Sequence, residues 1–298
     1  MDTQKSTRNT IYQITLNLIL ILLCACIILP FLLLVSTSIS NEQDIGFYGY
    51  QLIPRNIDFS AYKYVFRNPA AIIDAYKLTA FVSAVHTLLS LILIALIAYP
   101  LSRPKFKYRV QLSFFLYFTC LFSGGLVPSY ILMTQYLHLD DTIWIYIIPG
   151  LVKPWFVFMM RTFFQGIPNE ISESAYLDGA SELTILIKMI IPLSKPVIAT
   201  LALKTFLGMW NNWQVSMLYI NNEKLISLQY LLQKILLNIK LLQENNNIYI
   251  SDMISMESIP TETVRMAMAI VVAGPALIIF PFFQKYFVKG LTVGSVKG

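Results

Sequence analysis

Long stretches without a charged side chain are the feature that most limits how this chain can fold. The clearest runs from Leu18 to Val35 and is interrupted only by Pro30. A membrane-spanning helix needs roughly 20 apolar residues, and in lipid its backbone groups must be satisfied within the helix. Of the 298 residues, 56% are hydrophobic and only 13% are charged. The sequence therefore predicts an all-α integral membrane protein rather than a soluble domain.

Six segments are apolar enough to span a membrane: Leu18–Val35, Leu78–Tyr99, Gln111–Leu132, Ile143–Met160, Val197–Tyr219 and Met266–Phe283. A secretory signal peptide is the alternative interpretation of the first. Its apolar run is longer than a usual signal core, and no small-x-small cleavage site precedes a soluble domain. We therefore expect a retained first span.

Basic residues predict the orientation of these spans. Four of them lie within one short loop after the second span: Arg103, Lys105, Lys107 and Arg109. Short basic loops stay in the cytoplasm. Both termini and the polar loop at 168–192 are therefore predicted to be cytoplasmic, in a multi-pass membrane protein. The segment 220–265 is predicted to be external, with an amphipathic helix over Leu225 to Leu242.

The segment from Glu170 to Glu182 is a polar interruption between the fourth and fifth spans. Asn169 is a candidate N-cap for a first short helix, Asp178-Gly179 breaks it, and Ser181 is a candidate N-cap for a second helix. Four small residues are predicted to leave one surface of this bent pair open to another protein, with charge from Glu173 and Asp178: Ser174, Ala175, Gly179 and Ala180.

This loop resembles the EAA loop of binding-protein-dependent ABC importer permeases. That pattern is Glu-Ala-Ala, three residues, Gly, nine residues, then Ile-x-Leu-Pro; here Glu173-Ser174-Ala175, Gly179 and Met189-Ile-Ile-Pro192 hold the same spacing. Three further stretches are similar to the second permease of maltose-type carbohydrate importers, in the LplC-like branch. They are Trp210-Asn-Asn-Trp213, Ile226-Ser-Leu-Gln-Tyr-Leu-Leu232 and the tail from Gly290.

The resemblance implies a type I ABC importer (MetI-like) permease fold with six transmembrane helices in a bacterial cell membrane. It divides the chain into 1–77, with the first span and an external loop; 78–289, the permease core; and 290–298, a cytoplasmic tail. It also implies a heterodimer with a second permease, two cytoplasmic ATPase subunits, an extracellular lipid-anchored binding protein and an oligosaccharide substrate. ATPase closure would be coupled to alternating access through the EAA loop.

Residue roles follow from the same resemblance. ATPase coupling is assigned to Glu170, Glu173, Ser174, Ala175, Asp178, Gly179, Ala180 and Pro192, and a tail contact with the ATPase to Gly294 and Lys297. The possible substrate path includes Lys204, Trp210, Asn211, Asn212 and Trp213. Possible binding-protein contacts are Leu228, Gln229 and Tyr230. Snorkelling is the alternative for Lys204, interfacial anchoring for the tryptophans, and packing alone for the external helix. Lys153 is a further charge in an apolar span.

Several function classes are disfavoured. The sequence has no Gly-rich phosphate loop ending in Lys-Ser or Lys-Thr, so ATP and Mg²⁺ are expected to bind the partner ATPases, with no cofactor, metal or catalytic site in this chain. The basic residues form no stripe suited to nucleic acid. A secondary transporter or channel is less favoured because no predicted span holds an acidic residue. Import of a peptide or amino acid is the alternative within the importer class.

The predicted topology has a direct test. In a cysteine-free background, cysteines placed at 140 and 246 should react with an impermeant reagent in intact cells, whereas those at 173 and 297 should not. Labelling at position 173 from outside would contradict the arrangement.

Overall fold

The computed structural model describes residues 2–249, 261–275, 277 and 281. Fifteen α-helices, α1 to α15, lie in these ranges: Asp2–Ser38, Glu42–Tyr48, Ser60–Val65, Pro69–Ser102, Arg109–Leu121, Leu126–Ile131, Trp144–Ile147, Pro154–Gln165, Asn169–Leu177, Glu182–Ile185, Ile191–Leu193, Lys195–Trp210, Gln214–Tyr219, Leu228–Tyr249 and 262–275. π-helical turns extend α6 over Leu132–Tyr136 and join α10 to α11 over Leu186–Ile190.

Two helices are long and apolar enough to cross a membrane: α4, and α1 over Tyr12–Ser38. The apolar window of α1 has no buried residue, as expected for a helix whose surroundings are lipid rather than protein. Two bent helix pairs raise the number to four if each pair counts as one span. This count covers only the described ranges, and the predicted last span, Met266–Phe283, is described continuously only as far as residue 275.

Three predicted spans are not single helices. Gln111–Leu132 breaks between α5 and α6, which the structure bends by 112°. Ile143–Met160 is divided into α7 and α8 by an irregular segment around Gly150, whose φ of 74° ends regular helix. Val197–Tyr219 breaks after Trp210, because the Asn212 side chain accepts a hydrogen bond from the Val215 N–H and so starts α13.

The chain divides into two compact units, and the larger, which includes residues 70–234, holds two apolar clusters around α4. The C-terminal half of α4 packs Ile94, Ala98 and Leu101 against α8, α9, α10 and α12. Its N-terminal half packs Leu78 and Val82 against α7, the end of α12 and the segment before α14. One helix therefore contributes to the core at both ends.

The acidic turn between α6 and α7 is tied to the segment after α13. The Asp141 carboxylate accepts backbone N–H groups of Asn221 at 2.5 Å and Asn222 at 2.8 Å. Hydrogen bonds from Asn222 and Asn221 lower the pKa of this carboxyl. Because the carboxyl is easier to ionise in the folded than in the unfolded chain, ionised Asp141 stabilises the fold. This stabilisation is complete at neutral pH and is lost only as pH falls through the lowered pKa.

The other unit includes residues 2–69, 235–249 and 261–274, and in it Glu42 caps the start of α15. Its carboxylate accepts backbone N–H groups of Thr261, Glu262 and Thr263 at 2.9 to 3.0 Å, and the Thr263 hydroxyl at 2.6 Å. These N–H groups belong to a helix start, where donors lack intrahelical partners and negative charge is favoured. A carboxylate more than 200 positions away in sequence thus fixes where α15 begins.

Neutralising Glu42 should therefore destabilise the protein. Glu42→Gln keeps the shape but removes the charge, and we expect a loss of about 1–2 kcal/mol of unfolding free energy. Thermal unfolding of the purified protein measures it. Exposed Glu223 offers a matched control, because Glu223→Gln removes the same charge elsewhere; equal effects of the two changes would contradict the assignment.

Candidate functional site

The polar loop between α8 and α12 is a bent pair of helices, as predicted. Pro168 occupies the N-cap position of α9 and Asn169 is the first helical residue, so the predicted Asn169 cap is wrong by one position. The fixed φ of Pro168 and its missing N–H suit a helix start. Glu170 lies in the first turn, where its charge is favourable.

Gly179 ends α9 with a tight C-terminal motif. The Ala180 N–H donates to the Ala175 carbonyl at 2.9 Å, and the Gly179 N–H donates to Tyr176 at 3.0 Å. Gly179 has φ of 77°, which a residue with a Cβ adopts at a cost. The predicted Ser181 cap is confirmed: its side chain accepts the Thr184 N–H at 3.3 Å and begins α10.

The small residues do not form one open surface, and this part of the sequence interpretation is wrong. Ala175 is only 1% exposed and belongs to the apolar cluster with α4 and α8, while Ala180 is half-buried against the same cluster. Their small size lets α9 approach this chain rather than a partner. The exposed face of the loop instead carries Glu170, Glu173, Ser174, Leu177, Asp178 and Gly179.

Leu177 is a functional candidate that the sequence interpretation missed. It is 90% exposed, next to the exposed Asp178-Gly179 turn. Large apolar side chains that are displayed among charges mark contact surfaces when they cluster, and Tyr176 and Leu183 nearby are 44% and 57% exposed. The available signal was helical spacing, since Leu177 does not share the face of the buried Ser172 and Ala175.

A polar cluster fastens the buried face of α9 to the end of α4. The Arg103 guanidinium donates to Ser172 Oγ at 2.8 Å and to the Tyr99 hydroxyl oxygen at 3.1 Å. Tyr99 donates in turn to Glu182 Oε2 at 2.6 Å, and Tyr176 donates to Glu182 Oε1. Burial, and then the bond to Glu182, raises the pKa of Tyr176, so its phenol stays protonated and can donate.

This cluster gives new roles to residues that the sequence showed only as charges. Arg103 belongs to the basic loop that predicts the orientation, and Glu182 directly follows the predicted Ser181 cap. Both hold the loop in one position relative to α4. Pro192 is exposed in α11, just before the sharp bend of 81° into α12.

The predicted substrate-path residues have very different environments. Trp210 is 2% exposed, with its ring stacked on Phe206 at 5.9 Å and near Tyr76 at 6.2 Å, so its indole is covered within this chain. Asn211 is exposed, whereas Asn212 and Trp213 are half-buried. A place for Trp210 in the substrate path, with its indole open to a sugar, does not fit this packing.

One contact joins two groups that the sequence kept apart. Gln229 Nε2 donates to Asn211 Oδ1 at 2.9 Å, which links a predicted path residue to a predicted binding-protein contact. Leu228 is fully buried, and its N–H donates to Thr79 Oγ1 at 2.9 Å, so it packs within the chain. Tyr230 is half-buried. Gly294 and Lys297 lie outside the described residues.

The two lysines of the apolar segments also differ. Lys204 is exposed on α12. Lys153 is half-buried at the start of α8, with Nζ 5.5 Å from the Phe156 ring centroid. Among the side chains that the structure describes, no carboxylate lies within 4.0 Å of either lysine. In the same ranges no group of three His, Cys, Asp or Glu side chains is arranged to hold a metal.

Comparisons with known proteins agree with this architecture. Residues 81–293 match the family described as "Binding-protein-dependent transport system inner membrane component". The chain is 35% identical to the protein LplC of Bacillus subtilis (strain 168) over 92% of this chain and 90% of that protein. It is 33% identical to the polygalacturonan/rhamnogalacturonan transport system permease protein YtcP of the same strain, over 98% of this chain and 100% of YtcP.

A solved structure is similar over nearly the whole chain. It belongs to a bacterial ABC transporter involved in the import of the acidic polysaccharide alginate, and it shares 30% identity with a TM-score of 0.79. The match covers 94% of this chain and 98% of that one.

The polar cluster predicts how tightly the loop is held. Arg103→Gln removes two charge-assisted hydrogen bonds that hold α9. The backbone amides of 169–177 should therefore exchange with solvent about 10-fold faster, which is the change expected when a hydrogen bond to a charged group is lost. Lys107→Gln removes the same charge from the same basic loop and should leave this exchange unchanged. Unaltered exchange in the Arg103 variant would mean that the cluster does not position α9.

Proposed function

Because the chain belongs to the family of inner membrane components of binding-protein-dependent transport systems, we propose that it is the permease subunit of an ATP-driven oligosaccharide importer. Its fold is the all-α permease fold of type I ABC importers. Family membership implies ATPase and binding-protein partners. The proposal adds a heterodimer with a second permease, two cytoplasmic ATPase subunits, a lipid-anchored extracellular binding protein and both termini in the cytoplasm. ATP and Mg²⁺ bind the ATPase subunits.

The two faces of the α9 loop carry this proposal. Its buried face is fastened to α4 through Arg103, Tyr99 and Glu182. Its exposed face combines an apolar anchor, Leu177, with the carboxylates of Glu173 and Asp178. An apolar side chain surrounded by charges suits a groove in a protein partner, where burial of the leucine supplies affinity and the charges supply orientation. We assign this face to the ATPase.

Motion of the ATPase would reach the spans through the same contacts. A push on α9 acts on α4 through Arg103 and Ser172, and on α8 through the shared apolar cluster that includes Ala175. Packed interiors transmit displacement because they are close-packed and resist compression. The loop, the end of α4 and α8 are thus expected to move together between the inward-open and outward-open states.

The substrate class rests on the relatives together with the polar groups of this chain. YtcP and the solved transporter are both described as carrying polysaccharide material, and none of the three proteins compared above is described as carrying a peptide. The Asn211–Gln229 pair offers amide groups that suit sugar hydroxyls. Asn211 replaces Trp210 as the first residue to test for substrate contact.

Lys153 gives a specific reason to include acidic sugars among the test substrates. Its ammonium is half-buried without a carboxylate partner in the described ranges, and charge at membrane depth costs about 3 kcal/mol unless it serves a cavity or a partner. Alginate is an acidic polysaccharide, and polygalacturonan is likewise a polymer of an acidic sugar. A uronate carboxylate would complement Lys153.

Gly179 provides the sharpest test of the coupling assignment. Apart from its two sequence neighbours, no described residue has an atom within 4 Å of the position that a Cβ would occupy at Gly179, so the positive φ is the main obstacle to substitution within the described chain. Gly179→Val should cost roughly 1–3 kcal/mol of local strain and abolish ATP-dependent uptake of oligogalacturonides by the reconstituted importer, with normal membrane insertion.

Gly179→Asn is the matched control, since asparagine tolerates positive φ while adding a side chain. If the Gly179→Asn importer retains uptake and the Gly179→Val importer loses it, the defect lies in the loop conformation. If both variants lose uptake, the added side chain obstructs a close approach by the ATPase. Full uptake in both variants would remove the coupling role. Uptake of peptides instead of oligosaccharides by the unaltered importer would refute the proposed substrate class alone.

A further inference from the structure

Two arginines line one open cleft between α5 and α8, and this cleft is not part of the loop described above. The cleft has a volume of about 570 Å³ and is lined at its charged end by Arg109, Ser113 and Arg161. Arg109 is the first residue of α5 and Arg161 lies near the end of α8, and the two helices pack together. Antiparallel packing brings both guanidinium groups to one end of the helix pair.

Ser113 fixes the position of one guanidinium group. Arg161 Nη1 donates to Ser113 Oγ at 3.1 Å, and the same hydroxyl donates to the Arg109 carbonyl at 2.6 Å. The Arg161 side chain is therefore held toward the start of α5. A guanidinium that is already oriented loses less side-chain freedom when it binds an anion.

The charges of this cleft are not balanced. In the described ranges neither Arg109 nor Arg161 has a carboxylate within 4.0 Å. Arg161 Nε is buried and has no hydrogen-bond partner among the described residues, and Arg109 lines the same cleft. Two neighbouring positive charges repel each other, and their guanidinium groups still have N–H donors available. An anion that bridges them would relieve the repulsion and accept these hydrogen bonds.

The wall of the cleft is apolar and aromatic. It is formed by Phe114, Tyr117 and Phe158 with Val110, and Phe114 and Tyr117 are 67% and 53% exposed. A small soluble anion would use the arginines and leave this wall unused. A molecule with an anionic head and a hydrocarbon tail would use both.

We propose that this cleft binds an anionic phospholipid, with its headgroup phosphate between Arg109 and Arg161 and an acyl chain along the aromatic wall. Basic pockets between helices on the cytoplasmic side of a membrane attract such headgroups. Planar guanidinium groups match phosphate oxygens in pairs. The inference rests on the proposed cytoplasmic position of residues 103–109 and does not depend on the transported substrate.

The test measures lipid binding to the full-length chain in its purified, delipidated complex. Phosphatidylglycerol and phosphatidylcholine with identical acyl chains are titrated, and bound lipid is counted by native mass spectrometry. Only phosphatidylglycerol should bind at this site, and Arg109→Gln and Arg161→Gln should each weaken it about 5-fold. Arg161→Lys keeps the charge but loses the paired donors, so its affinity should fall between those of the unaltered chain and Arg161→Gln, which guards against a merely misfolded Gln variant.

Lys105→Gln is the matched control because Lys105 carries the same charge in the same basic loop but does not line the cleft. An equal loss in this variant would mean diffuse surface attraction and would overturn the site. Displacement of the lipid by soluble glycerol phosphate would show a small-anion site and overturn the lipid assignment.

Coverage by the partner permease is a third outcome that would overturn the proposal. In a cysteine-free background, Tyr117→Cys should react with a membrane-soluble maleimide in the complex, and more slowly when phosphatidylglycerol is present. Complete protection without added lipid would identify the cleft as a subunit interface. A complex that binds phosphatidylglycerol through both arginines but imports no oligosaccharide would contradict only the proposed substrate.

Discussion

Lipid offers no hydrogen bonds, so each backbone group that leaves helix geometry within the apolar segments must find its partner in the protein. Helix α4 supplies these partners along its length. Thr79 accepts the Leu228 N–H, His86 Nδ1 donates to the Ile147 carbonyl at 2.9 Å, and Ser90 donates to Leu151 at 2.6 Å. The last two bonds satisfy carbonyls at the break between α7 and α8. The irregular segment around Gly150 is thus tolerated because a neighbouring helix pairs with it.

The same helix also holds the loop between α8 and α12, to which we assign the contact with the ATPase. At its C-terminal end, Tyr99 donates a hydrogen bond to Glu182, and Arg103, which directly follows the helix, donates one to Ser172. One rigid element thereby joins the membrane break, the start of α14 and the loop assigned to the ATPase. A permease needs this connection, because energy released at the ATPase has to reorganise segments at membrane depth. The broken helices are the parts of the spans that depend most on α4.

Local signals in the sequence were sufficient for part of this architecture. The uncharged runs predicted α1 and α4, and the Asp178-Gly179 and Ser181 signals predicted the bent pair, because caps and positive-φ turns depend on adjacent residues. The break near Gly150 was missed because apolar composition continues through it, while its stability comes from distant side chains such as His86. The break after Trp210 has a local signal, Asn211-Asn212, which the span prediction passed over because the surrounding residues are apolar. The orientation of Ala175 and the burial of Trp210 were also hidden, since α4 and its neighbours decide which face packs inward.

The central claim is that the exposed face of α9 contacts the ATPase while its buried face is fixed to α4. The most direct measurement places a photoreactive side chain at position 177 in the assembled transporter, with position 118 on the apolar helix α5 as the comparison. The account predicts a cross-link from 177 to the ATPase subunit whose yield changes when the ATPase is trapped with nucleotide, and none from 118. Cross-linking of 177 to lipid or to the binding protein, with no ATPase product, would contradict it.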